Sequence, residues 1–215
     1  MNKEEILKDL NNIGFHIITD YYSTEKCDEI YNEIYSNFPV NFEHQNQNER
    51  GKDYRMVYGE RYFKTANTFL NDSEILDIAN TYMGKNETKK RCQVGVVEYK
   101  EGIDSCSGGG WHVDNHSRQF KAIIYLTNVD LKSGHFSIIE NSRNTIKGLG
   151  THPAIKGDLS QTRVSDENVI NKNSNKIHDI VGNKGTMILV DTSNIHRGNV
   201  IKEGNRVTYT NYYFH

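Results

Sequence analysis

Long apolar runs, cysteines and net charge are all scarce in this sequence, and each shortage excludes a class of function. No stretch approaches the about 18 consecutive apolar residues of a membrane-spanning helix. The opening segment carries Lys3, Glu4 and Glu5 where a signal peptide would begin its apolar core, so a cytoplasmic protein without membrane association is expected. The three cysteines, Cys27, Cys92 and Cys106, are odd in number and widely spaced, which argues against a disulfide framework and against a cysteine zinc site. A formal net charge of -2 supplies no field that would gather DNA or RNA around the molecule. A P-loop is missing as well, because Gly108-Gly109-Gly110 is not followed by Gly-Lys-Ser/Thr and opens no helix.

What is present suits a globular domain. Of the 215 residues, 35% are hydrophobic and 25% charged, enough for a core beneath a wet surface, and a single domain over 1–215 is expected. Ile6, Leu7 and Leu10 form a short helical stripe, followed by Gly14 and an apolar run at 15–18 that reads as a strand. Ser23 can cap a second helix whose Cys27, Ile30, Tyr31 and Ile34 fall on one face. The polar text of 41–51 reads as a loop leading into aromatic and basic sequence at 54–63, together a candidate flap. Beyond a helix at 74–82, β-rich runs occupy 94–99, 122–127, 136–139, 187–190 and 207–213. Helices first and strands afterwards predict an α+β arrangement in which helices buttress a β-sandwich or barrel. The polar segment 151–179 is longer than a connection needs and is a candidate lid.

Chemistry concentrates in Trp111-His112-Val113-Asp114, where positions two apart on a strand would bring an imidazole and a carboxylate to one face. A third donor is available in Asn194-Ile195-His196, after the run at 187–190. Two imidazoles and a carboxylate on one face of an octahedron leave three positions open, the arrangement in which non-haem iron(II) takes a co-substrate and O2. Either signal alone arises readily by chance. Arg206 adds weight: it lies on the next β-rich run, where its planar fork can take a carboxylate bidentately.

Together these residues resemble the signature of the phytanoyl-CoA dioxygenase-like family of 2-oxoglutarate oxygenases: His-x-Asp, a distant His, then Arg about ten residues on. The likeness extends to Gly14-Phe15-His16-Ile17-Ile18 with Tyr22-Ser23-Thr24-Glu25-Lys26-Cys27, and to Gly134-His135-Phe136-Ser137-Ile138-Ile139 with Asn141-Ser142-Arg143, although His135 replaces a common proline or cysteine. The resemblance implies a double-stranded β-helix (jelly-roll, cupin-like) with N-terminal helices packed outside. It implies iron(II) on His112, Asp114 and His196, and 2-oxoglutarate as co-substrate with its 5-carboxylate on Arg206 and Thr208 as a hydroxyl donor. The expected reaction is O2-dependent decarboxylation to succinate and CO2 with hydroxylation of a second substrate. Lys100 is a further candidate contact for the oxoacid, and Gln93, Tyr99 and Lys121 are others that more readily serve structure. Asp114 favours hydroxylation over halogenation, since related halogenases carry a small residue there.

The second substrate is expected to be a small polar metabolite, a sugar-derived intermediate or a natural-product precursor. His116, Arg118 and Lys121 follow the motif and would favour an anionic molecule if they line the cavity. Trp111 is expected to pack in the core on the opposite side from His112. The competing reading is a metal-binding cupin-like protein without oxoacid chemistry, either a structural β-sandwich or an oxoacid-independent dioxygenase. A zinc hydrolase fits the spacing and Arg206 poorly.

Overall fold

A computed structural model of the chain describes residues 1–36, 43–44, 52–84, 89–102, 109–143, 162–165, 167 and 173–214. Four helices, α1 (Lys3–Asn12), α2 (Thr24–Ser36), α3 (Lys64–Leu70) and α4 (Ser73–Met83), lie in the first part of the chain. Their starts follow from side-chain capping: Asn2 accepts from Glu5 N, Ser23 Oγ from Lys26 N, and Asp72 from Glu74 N and Ile75 N. Gly84, at φ 69°, ends α4 in the left-handed conformation that glycine adopts without penalty. Ile6 and Leu10 of α1, Cys27, Ile30 and Ile34 of α2, and Ile75, Ile78 and Tyr82 of α4 form the buried stripes. None of the described helices is long and apolar enough to cross a membrane.

Strands β1 (Phe15–Ile18), β2 (Glu43–His44), β3 (Lys52–Val57), β4 (Lys89–Glu98), β5 (Phe120–Tyr125), β8 (Met187–Asp191) and β10 (Asn205–Phe214) form an antiparallel sheet in the order β1-β8-β5-β10-β4-β3-β2. A second sheet, β7-β6-β9, is built from β6 (Phe136–Ile139), β7 (Ile177–Ile180) and β9 (His196–Gly198). One face of the large sheet, with Val94, Val96, Phe120, Ala122, Ile124, Leu189, Val207, Tyr209 and Tyr213, packs on the helices. Its other face meets the small sheet through Phe15, Ile123, Tyr125, Phe136, Ile138, Ile180, Ile188 and Val190. Two antiparallel sheets enclosing a cavity, with helices outside, make a double-stranded β-helix of the jelly-roll type.

The β-rich runs all appear as strands, and three expectations need correction. Residues 54–57, expected within a flap, belong to β3, which pairs along β4 from Lys52↔Glu98 to Val57↔Gln93. Residues 177–179, expected within a lid, belong to β7 and pair with β6. Nearer the middle of that segment, Val113 N donates to Thr162 O and Val164 N to Trp111 O, so 162–164 runs against the His-x-Asp motif. The remainder of the lid candidate between 151 and 172, apart from Ser165 and Glu167, lies outside the described residues, as does most of the 41–51 loop. Finally, His112 sits in two isolated bridges, to Arg163 and to His196, rather than in a strand.

Candidate metal centre

The backbone brings His112 and His196 face to face. His112 N donates to His196 O at 2.9 Å and His196 N returns the bond to His112 O at 2.8 Å. The two rings, with centroids 4.4 Å apart, project into the space between the sheets. Alternation sends the neighbours the other way: Trp111, Val113 and Ile195 join Ile139 and Val164 in a separate apolar cluster, with the Arg197 guanidinium 4.4 Å from the Trp111 ring centroid. Asp114 N donates to Thr192 O, which swings its carboxylate toward the imidazoles. His112 Nε2 lies 3.8 Å from Asp114 Oδ1, and His196 Nε2 lies 3.5 Å from Asp114 Oδ2. Donor atoms of the three side chains all fall within 4.8 Å of one another.

Both tautomers are fixed from behind. His112 Nδ1 lies 2.9 Å from Gly110 O, and His196 Nδ1 lies 2.9 Å from Asn194 O. A carbonyl oxygen only accepts, so each Nδ1 carries the hydrogen and each Nε2 turns a lone pair toward the common point. Burial pushes His196 down to about 3 and also lowers His112. Burial would raise Asp114, but the Lys121 ammonium and hydrogen bonds from Lys121 and Thr192 outweigh it and hold the carboxyl well below its usual range. At neutral pH the group therefore consists of two neutral imidazoles and one carboxylate, the states in which these side chains bind a metal.

The turn presenting His196 is rigidly seated. Asp191 is fully buried; its Oδ1 accepts from Gln119 N, Ser193 N and Ser193 Oγ, and its Oδ2 accepts from Tyr82 OH at 2.7 Å. Asn194 Oδ1 accepts from Arg143 N while its Nδ2 donates to Asp191 O. Gly14, at φ +94°, fits against this turn, where a Cβ would come within 2.5 Å of Asn194 Nδ2.

A cavity of about 360 Å³ opens beside the three donors. One row of its wall is the inward face of β10: Arg206, Thr208, Thr210 and Tyr212. The backbone of Arg206 pairs with β4 at Val97, while its guanidinium makes no ion pair or hydrogen bond among the described residues. Gly134, at φ +72°, leaves room for it, since a Cβ there would lie 3.4 Å from an Arg206 terminal nitrogen. Thus His112, Asp114, His196, Arg206 and Thr208 share one cavity, and Gln93 and Lys121 line it too. Lys100 does not: it is exposed past the end of β4, next to the exposed Tyr99. His116 and Arg118 also lie outside the lining; Arg118 instead donates to Tyr82 O and Asn11 Oδ1 on the helix side. Sequence reasoning missed Asp53 and Arg55, neighbours on the cavity face of β3 that pair at 3.2 Å. The period-two order Asp53-Tyr54-Arg55-Met56, with Met56 buried toward the helices, was their available signal.

The chain matches no protein-family model and no curated protein. Solved structures do share its fold. The non-heme alpha ketoglutarate dependent epimerase SnoN from nogalamycin biosynthesis superposes with TM-score 0.73 at 12% identity, over 99% of this chain and 83% of that one. HygX from Streptomyces hygroscopicus, with nickel and 2-oxoglutarate bound, gives TM-score 0.69 at 12% identity over 98% and 86% of the two chains. EvdO2 from Micromonospora carbonacea var. aurantiaca, complexed with 2-oxoglutarate, gives 0.65 at 12% identity over 98% and 90%. At these identities what the chain has in common with them is the double-stranded β-helix.

Proposed function

We propose that the chain is a single-domain iron(II)- and 2-oxoglutarate-dependent oxygenase of the phytanoyl-CoA dioxygenase-like type, acting on a small molecule. The observation that carries this reading is the grouping of His112, Asp114 and His196, with donors within 4.8 Å, and the presence of Arg206 in the same cavity. Two neutral imidazoles and a carboxylate on one side match the donor set of non-haem iron(II), and a softer or closed site would need thiolates or a fourth protein ligand. Iron(II) with 2-oxoglutarate and O2 supplies the oxidant, the oxoacid leaving as succinate and CO2 while one oxygen atom enters the second substrate. His112 and His196 offer Nε2 because their Nδ1 hydrogens are held by carbonyls. Arg206 binds and orients the 5-carboxylate of the oxoacid through its planar fork, and Thr208, next inward on β10, adds a hydroxyl donor.

Hydroxylation is the favoured outcome because Asp114 keeps the carboxylate that halogenating relatives lack. SnoN is named an epimerase and SnoK a non-heme alpha ketoglutarate dependent carbocyclase, so the shared fold does not by itself fix the outcome at the second substrate. Anaerobic titration of iron(II)-loaded protein with 2-oxoglutarate tests the reading. A visible charge-transfer band that requires both components and disappears in His112→Ala is expected. Bound metal without such a band would instead favour a cupin-like protein without oxoacid chemistry.

A further inference from the structure

Lys121 occupies a position that the three-ligand reading leaves unexplained. It is the first inward residue of β5, paired across the sheet with Val190 and Tyr212, and is only 6% exposed. Its ammonium lies 4.2 Å from the Tyr212 ring centroid and donates to Asp114 Oδ2. An ammonium taken out of water costs several kcal/mol unless a counter-charge and hydrogen bonds meet it. Here the counter-charge is the carboxylate that the proposed metal also requires. A cation placed beside a divalent metal site is electrostatically unfavourable for metal binding, so its presence calls for a compensating role.

Coordination arithmetic suggests that role. Asp114 turns one oxygen toward each imidazole, Oδ1 to His112 and Oδ2 to His196, so both oxygens lie near the common metal position. A carboxylate so placed can bind through one oxygen or two. Two nitrogens and one oxygen leave three of six octahedral positions for co-substrates; a second carboxylate oxygen would leave two, which the oxoacid chelate alone would fill. The oxygen that accepts from Lys121 has part of its lone-pair density committed, which makes Oδ1 the better donor.

We propose that Lys121 is a positioning residue that confines Asp114 to one-oxygen coordination and thereby keeps a third position open. The inference rests on the iron and oxoacid reading above. Lys121→Met retains the length and apolar stem of the side chain while freeing Oδ2, and Lys121→Arg restores a cationic donor. Cobalt(II) titration of wild type and both variants reports metal affinity. A following titration with 2-oxoglutarate reports chelation. In Lys121→Met, cobalt(II) affinity is expected to stay level or rise and 2-oxoglutarate, which needs only the two positions still open, to bind as in wild type. Nitric oxide binding to the anaerobic iron(II)–2-oxoglutarate complex, which needs the third position, is expected to fall about tenfold, with Lys121→Arg returning toward wild type.

An ordinary supporting contact behaves differently, since losing one lowers metal affinity by about 10–100-fold. A fall in cobalt(II) affinity, or nitric oxide binding equal to wild type, would overturn the proposal. A crystal structure of cobalt(II)-loaded wild type adds a test that needs no variant: both Asp114 oxygens at bonding distance would overturn it even if Lys121→Met fails to fold. Failure of wild type to bind cobalt(II) at His112, Asp114 and His196 would instead overturn the metal reading on which it stands.

Discussion

The two faces of β10 do opposite work. Toward the helices it presents Val207, Tyr209, Asn211 and Tyr213, all fully buried, with Tyr209 OH 2.8 Å from Thr65 Oγ1 and Asn211 Nδ2 donating to Phe69 O at 3.0 Å. Toward the cavity it presents Arg206, Thr208, Thr210 and Tyr212, half-buried and polar. β5 divides in the same way, with Phe120, Ala122 and Ile124 against the helices and Lys121, Ile123 and Tyr125 facing inward. Because side chains alternate along a strand, a single backbone holds both a closed apolar core and a polar wall. The core face fixes strand register, and that register fixes the position of each polar group. Stability and chemistry should therefore separate under mutation according to residue parity.

The strongest way to break this comparison is at the ligands. His196→Ala should abolish iron(II) binding, measured by metal content after gel filtration, while the far-ultraviolet circular dichroism remains that of the folded chain. Retained stoichiometric metal would remove His196 from the ligand set. Next in size is the core face: Leu189→Ala should cost about 2–5 kcal/mol of unfolding free energy in denaturant titration, the usual range for a buried leucine. If the faces are separable, its 2-oxoglutarate affinity stays within about a factor of two of wild type; a large loss of affinity would show that the wall depends on that packing.

Arg206→Ala samples the cavity face. Loss of charge-assisted hydrogen bonds worth about 1.5–3 kcal/mol should weaken 2-oxoglutarate by about 10–100-fold without changing metal affinity. An unchanged oxoacid titration would point to another anchor. A pH slope in the metal-free protein reads the same burial from another side. His196 is held at about 3 by burial, whereas an unfolded histidine titrates near 6.5, so between those values the unfolded chain binds the extra proton. Stability should consequently be full above pH 6.5 and decline as pH falls toward 3, and His196→Gln should flatten that decline in urea titrations. An equal slope in the variant would assign the acid sensitivity elsewhere.

How much of this was legible depended on which face carried the signal. β4, β5, β6, β8 and β10 announced themselves because most of their buried positions are apolar, with many β-branched or aromatic residues among them. β3 did not, since Asp53 and Arg55 take its cavity positions and leave Tyr54 and Met56 as a thin apolar trace. β7, Ile-His-Asp-Ile, has apolar residues only at its ends, and the three residues of β9 are too few to establish a period. His112, Asp114 and His196 could be named from spacing because the donor types are rare in combination. That His112 meets them from a pair of isolated bridges, to His196 and to Arg163, is a long-range property with no local trace. Lys121 was visible as a residue near the motif, but its contact with Asp114 exists only once β5 lies beside β8 and β10.

The order of strands in the large sheet has a consequence for biosynthesis. β10, the last of the described strands, sits between β4 and β5, and β1, the first of them, pairs with β8 through Phe15↔Val190 and Ile18↔Met187. A nascent chain halted before β8 would leave β1 without its neighbour, and one halted before β10 would leave β4 and β5 unjoined. Such non-local pairing is slow to form, because loop closure must come before the contacts that reward it. The cavity wall bearing Arg206 therefore closes only when β10 joins β4 to β5, a pairing that on the β4 side spans more than a hundred residues of chain.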